Sequence, residues 1–108
     1  MVRVFYYDEE TGDTIDSLQP EVCSKQKALS LFNVLTETAG SFFGLVNDDD
    51  TLQFICEDED EWRAEIPIPE KDGMLFSYAQ RDICIELIKC VYDNIPITNY
   101  VQMEFERF

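Results

Sequence analysis

The sequence predicts an α+β domain in which an antiparallel sheet, with a three-stranded meander at its centre, carries two packed helices. Three observations carry this prediction. Runs rich in β-branched and aromatic residues recur at short intervals between acidic or Gly-containing turns. Two other segments place apolar residues at helical spacing, Ala28-Leu31-Phe32-Leu35 and Ile83-Cys84-Leu87-Ile88-Val91. The length, 108 residues, is that of a single domain, residues 1–108, so no cleft between two domains is expected.

Val2 to Tyr7 is a β-branched and aromatic run and reads as a first strand, followed by the turn Asp8-Glu9-Glu10-Thr11-Gly12-Asp13 and a loop through Pro20. Ser24 is placed to cap a first helix, with Gly40 just past its end. Ser41–Asn47, Thr51–Glu57 and Trp62–Ile68 follow as a meander, joined by the acidic turns Asp48-Asp49-Asp50 and Asp58-Glu59-Asp60-Glu61. In the third of these strands Trp62, Ala64, Ile66 and Ile68 alternate with Arg63, Glu65 and Pro67, which predicts one buried face and one wet face. Pro67 and Pro69 are expected to end it.

Ser77 and Gln80 have the spacing of a capping box for the second helix, whose polar positions are Asp82, Glu86, Lys89 and Asp93. Pro96 prevents its continuation, and Val101, Met103 and Phe105 alternate with polar residues as a last strand. The expected order is therefore β-α-β-β-β-α-β. Packing both helices on one face is the most economical arrangement, and the pattern leaves open where the first and last strands pair.

Charge narrows the function. Eight Lys and Arg against 23 Asp and Glu give a net charge of −15, while 45% hydrophobic and 13% aromatic residues supply a core that acidic disordered tails lack. The excess charge sits on a folded body and argues against a nucleic-acid ligand and against an anionic membrane surface. No apolar stretch approaches the length of a membrane span, and the N-terminal residues lack the pattern of a secretory signal, so a cytoplasmic protein is expected. Cys23, Cys56, Cys84 and Cys90 form no C-x-x-C pair and no histidine is present, which argues against zinc and favours reduced, structural cysteines.

Catalysis has few parts to work with. There is no histidine, no G-x-S-x-G elbow and no phosphate-cradling glycine loop, so no catalytic residue, cofactor or metal is assigned. The acidic turns lack the glycine and spacing of a calcium loop. Successive turns of a meander lie at opposite ends of a sheet, so the two clusters do not form one patch. Either could be extended across the sheet face by Glu57, Glu65 and the outward residues of the last strand. Charge alone therefore nominates Asp48, Asp49, Asp50, Glu57, Asp58, Glu59, Asp60 and Glu61 as partner-binding residues. The competing reading is that the charge serves only solubility. Most large aromatics, Phe42, Phe43, Phe54, Trp62 and Tyr92 among them, are assigned to the core; Tyr7, Tyr78 and Tyr100 are the candidates for an interface.

A resemblance runs through residues 41–91: Ser41-Phe42-Phe43-Gly44-Leu45-Val46-Asn47, an acidic turn, Leu52-Gln53-Phe54, Trp62 with Glu65-Ile66-Pro67, a loop bearing Gly73 and Tyr78, and the helix Arg81-Asp82-Ile83-Cys84-Ile85-Glu86-Leu87-Ile88. This pattern resembles small acidic bacterial immunity proteins of polymorphic toxin systems. The resemblance implies a cytoplasmic protein that neutralises a cognate toxin, often a nuclease or deaminase, and it transfers no binding residue. The sign of the charge agrees, since an enzyme acting on nucleic acid presents a basic groove that an acidic inhibitor can occupy. The alternatives are a DNA-mimicking polyanion, an acidic adaptor or structural domain, and an enzyme working through paired carboxylates.

Overall fold

The computed structural model describes all residues, Met1–Phe108. Eight antiparallel strands form one sheet: β1 (Val2–Tyr7), β2 (Thr14–Ile15), β3 (Glu21–Val22), β4 (Phe42–Asn47), β5 (Asp50–Asp58), β6 (Glu61–Ile68), β7 (Gly73–Ala79) and β8 (Glu104–Arg107). The order across the sheet is β2-β1-β4-β5-β6-β7-β8, with β3 also pairing with β1. The helices are α1 (Lys25–Val34) and α2 (Arg81–Asp93). The α+β class and the meander β4-β5-β6 are as expected from the sequence, and the open question of the first strand is answered by β1 pairing directly with β4.

The expected order lacks β7 and the two short strands β2 and β3, the first of which falls in the segment expected to be loop. Ser77, expected to cap the second helix, lies inside β7 opposite Ala64. The helix starts four residues later, behind Gln80, whose side chain makes no cap bond. β6 runs through to Ile68, the end expected from the sequence, with Pro67 beyond Glu65, the last residue paired with β5, and Pro69 opening the turn that follows. The last strand is shorter than expected and pairs with β7, while Val101 and Met103 precede it and pack against the core. Gly40 is not the C-terminal stop of α1. Leu35 ends that helix in an extended conformation, and Gly40 turns the chain into β4 at φ 99°.

Local chemistry explains the helix ends. The Ser24 hydroxyl accepts from the Lys27 amide, as expected of an N-cap. At the other end of α1 Arg81 serves the terminal carbonyls, its guanidinium donating to Phe32 O (2.6 Å), Asn33 O (3.0 Å) and Leu35 O (3.2 Å). The first residue of one helix thus caps the last turn of the other. Asn94 closes α2 in the left-handed conformation, which Asn tolerates better than most residues.

Both helices lie on one face of the sheet. Ala28, Phe32 and Leu35 of α1 and its C-cap, with Cys84, Leu87 and Ile88 of α2, share one core with Val4, Phe43, Leu45, Phe54, Trp62 and Ala64. Phe32 is its hub, fully buried with its ring centroid 5.4, 5.8 and 5.1 Å from those of Phe43, Phe54 and Trp62. Alternate strand residues point to the opposite face, which neither helix covers. There the Phe5 ring lies across Gly44, where an added Cβ would sit 1.9 Å from Phe5 Cζ, and this close approach leaves Phe5 only 5% exposed. No helix is long and apolar enough to cross a membrane.

Candidate functional site

The two acidic turns lie at opposite ends of β5. At the β5–β6 end the chain gathers Glu57, Asp58, Glu59, Asp60 and Glu61 with Glu9, Glu10 and Asp13 of the first turn and Glu37 of the segment after α1. The Glu9 amide donates to Ser41 Oγ, and its carboxylate lies beside Gly40, whose amide donates to Cys56 O; these contacts hold the first turn against the end of β5. The cation at this end is Arg81. It is committed to the α1 carbonyls, lies 3.8 Å from Glu37 and stacks over Phe32, 4.8 Å from its ring centroid.

Two buried or half-buried carboxylates build this end. Asp8, 3% exposed, accepts from the Glu10 amide (2.9 Å), the Thr11 amide (3.1 Å), the Thr36 amide (2.9 Å) and the Thr36 hydroxyl (2.6 Å). Burial alone would push its pKa up, but these donors outweigh that cost and hold it at about 2. Glu37 Oε2 accepts from the indole Nε1 of fully buried Trp62 (2.7 Å) and from the Asp60 amide (3.0 Å). Asp60, at φ 53°, in turn accepts the Arg81 amide (2.9 Å) and the Gln80 side chain (3.3 Å). The N-terminal cap of α2 therefore comes from a hairpin 21 residues upstream in sequence.

The nominated residues consequently separate by role. Asp60 is a helix cap, and Asp58 accepts the Glu59 amide within the turn (2.7 Å). Glu57, Glu59 and Glu61 are exposed, and their side chains make no hydrogen bond within the chain, so their charge is free for a partner. The β4–β5 end is simpler. Asp48, at φ 56°, and Asp49 form the two-residue turn, Asp50 opens β5, and all three are exposed. Beside them, a cavity of about 350 Å³ between the sheet and the end of α2 is lined by Leu45, Leu52, Ile66, Val91, Ile95 and Ile97, with Asp50 in its wall.

Of the residues expected to extend the acidic surface across the sheet, Glu104 and Glu106 of β8 are exposed on the face that neither helix covers, whereas Glu65 is not. Glu65 is 7% exposed, accepts from Gln53 Nε2 (2.8 Å) and lies 2.8 Å from Arg63 Nε; Arg63 also pairs with Glu106. These ion pairs, above all the bond to Glu106, raise the pKa of Arg63, whose single charge offsets one of the two carboxylates it meets. The contacts arise through β7, which brings Phe76 opposite Glu65 and β8 into reach, with the Arg63 guanidinium 4.2 Å from the Phe76 ring centroid. Aromatic side chains share the face with these charged groups. Of the interface candidates, Tyr7 and Tyr78 lie on it, Tyr78 being 54% exposed, whereas Tyr100 lies outside the strands. Phe42, expected in the core, is half-buried on this same face, 5.9 Å from Tyr7 between ring centroids.

Burial shifts the thiols and the Tyr6 phenol. All four cysteines are free, and burial pushes the Cys56 thiol up to about 11 and that of Cys84 up to about 12, away from thiolate reactivity. Tyr6, desolvated and donating to Asp13 Oδ2 (2.8 Å), is raised to about 12. No group of three or more acidic or thiol side chains converges closely enough to hold a metal ion. In comparisons with known proteins, no family model, no curated protein and no solved structure matches this chain.

Proposed function

We propose that this chain is a binding protein that neutralises a basic partner enzyme, a bacterial toxin acting on nucleic acid, by occluding its active site with an acidic surface in the cytoplasm. The observation that carries this reading is the β5–β6 end, where Glu57, Glu59 and Glu61 stand exposed and unbonded while Arg81, the cation there, is consumed within the fold. A surface of 6375 Å² with net charge −15 carries about one net negative charge per 425 Å² on average, and this end gathers several carboxylates around one committed cation. Such a field speeds association with a cationic groove and repels partners of like sign. The resemblance of residues 41–91 to immunity proteins points the same way.

The test is an affinity capture from the host's lysate, washed through rising salt and followed by assay of the recovered protein. The proposal expects one basic protein in stoichiometric amount, retained at high salt, whose activity on nucleic acid stops when this chain is added at one equivalent. Many nucleic-acid-binding proteins released together at moderate salt would instead identify a DNA-mimicking polyanion. An empty capture would reject both readings.

A further inference from the structure

The open face of the sheet places one row of side chains side by side across five strands: Tyr7 opposite Phe42, Phe42 opposite Ile55, Ile55 opposite Arg63, and Arg63 opposite Tyr78. The row spans four inter-strand steps, about 19 Å. Toward the β5–β6 end stand Glu61, two residues back along β6, Glu57, at the β-bulge between Cys56 and Asp58 that sets Asp58 opposite Glu61, and Glu9, in the turn after β1. An apolar and aromatic band thus abuts the exposed carboxylates.

The Arg63–Tyr78 end of the band is tied to its neighbours within the chain. Arg63 is fixed by Glu65 and Glu106 and stacks on Phe76, and the Tyr78 ring meets Phe76 edge-on at 6.1 Å. Tyr and Arg set in such surroundings are the residue types that dominate interface energetics, because little side-chain freedom remains to be lost on binding.

We infer that the partner seats on this open face, with Tyr7, Phe42, Ile55 and Tyr78 as the apolar core of the interface and Glu9, Glu57 and Glu61 as its charged rim. This inference rests on the proposed function and assigns its binding surface. Charge complementarity specifies the occupant: a protein surface presenting an apolar or aromatic side chain flanked by Lys or Arg. A second copy would bring −15 against −15, and a nucleic acid or anionic membrane would be repelled likewise. Arg63 offers such ligands little, since its charge is already paired with Glu65 and Glu106.

The test places the photo-cross-linking side chain p-benzoylphenylalanine, one position at a time, at Tyr78, at Glu59 and at Val34, which is 72% exposed on α1. Each full-length chain is irradiated in host lysate, and the cross-linked protein is identified, purified and titrated with the Tyr78→Ala variant. Tyr78 is half exposed, so its truncation leaves the core intact, and Trp62 fluorescence verifies folding. The expected result is one basic protein cross-linked from Tyr78 and not from Val34, whose Kd rises at least tenfold with Tyr78→Ala. Cross-linking from Glu59 alone, with Tyr78→Ala within twofold of the parent, would overturn the open-face interface while leaving the neutralising function standing. A cross-linked dimer of this chain would overturn the choice of occupant. No basic protein cross-linked from any position would overturn both readings.

Discussion

The two acidic turns of the meander look alike in sequence, yet one is wired into the fold and the other is only attached to it. At the β4–β5 end Asp48, Asp49 and Asp50 close a hairpin, and their exposed side chains make no hydrogen bond within the chain. At the β5–β6 end Asp60 caps α2, and the Asp60 amide and the Trp62 indole both donate to Glu37. Asp8 clamps the neighbouring turn to the segment after α1. The difference teaches that a run of carboxylates is not one kind of feature. Those whose oxygens meet buried donors organise structure, and those left over carry charge outward from a frame the first group has made rigid.

The comparison is broken most severely at Asp8. Replacing it with Ala leaves the Glu10, Thr11 and Thr36 amides without their acceptor, and we expect a loss of about 3 kcal/mol by urea unfolding at pH 7. Its folded pKa of about 2 lies below the ordinary 3.8, so its contribution is complete above roughly pH 4 and is lost as pH falls toward 2. Protonation removes about 2 kcal/mol, and the stability gap between the parent and Asp8→Asn should narrow over that interval.

Glu37→Ala comes next, at about 2 kcal/mol, because it orphans the indole N–H of fully buried Trp62. As Trp62 is the only tryptophan, its emission reports both the local change and global unfolding. Asp60→Ala should cost about 1 kcal/mol through loss of the α2 cap. The same change at Asp49, in the other turn, should stay within about 0.5 kcal/mol by the same urea titration. Equal costs for Asp60→Ala and Asp49→Ala would erase the distinction between the two ends.

Local signals in the sequence were legible. Ser24 capped α1, the alternation of Trp62 and Ala64 with Arg63 and Glu65 set the faces of β6, and the helical stripe of α2 was read correctly. What was hidden depended on partners distant in sequence. Ser77 and Gln80 matched a helix-start pattern, but the Asp60 side chain supplies the cap and leaves Ser77 to β7. The role of Arg81 was hidden because the carbonyls it serves belong to α1, and Glu65 read as solvated because Gln53, Arg63 and Phe76 meet it only across the sheet. For the site, sequence supplied the carboxylates and two of the tyrosines, Tyr7 and Tyr78. It did not place them together, since their juxtaposition is a matter of register between strands.

The most direct test of the central claim is a pair of matched charge reversals measured by affinity for the captured basic partner. One variant carries Glu57→Lys, Glu59→Lys and Glu61→Lys, with Asp60 left in place to cap α2; the other carries Asp49→Lys, Asp50→Lys and Glu70→Lys at the opposite end. Both change the net charge equally. The account predicts that the first weakens binding by about a hundredfold or more and the second by less than threefold. Equal losses would mean that total charge, not a built surface, governs binding, and would contradict it.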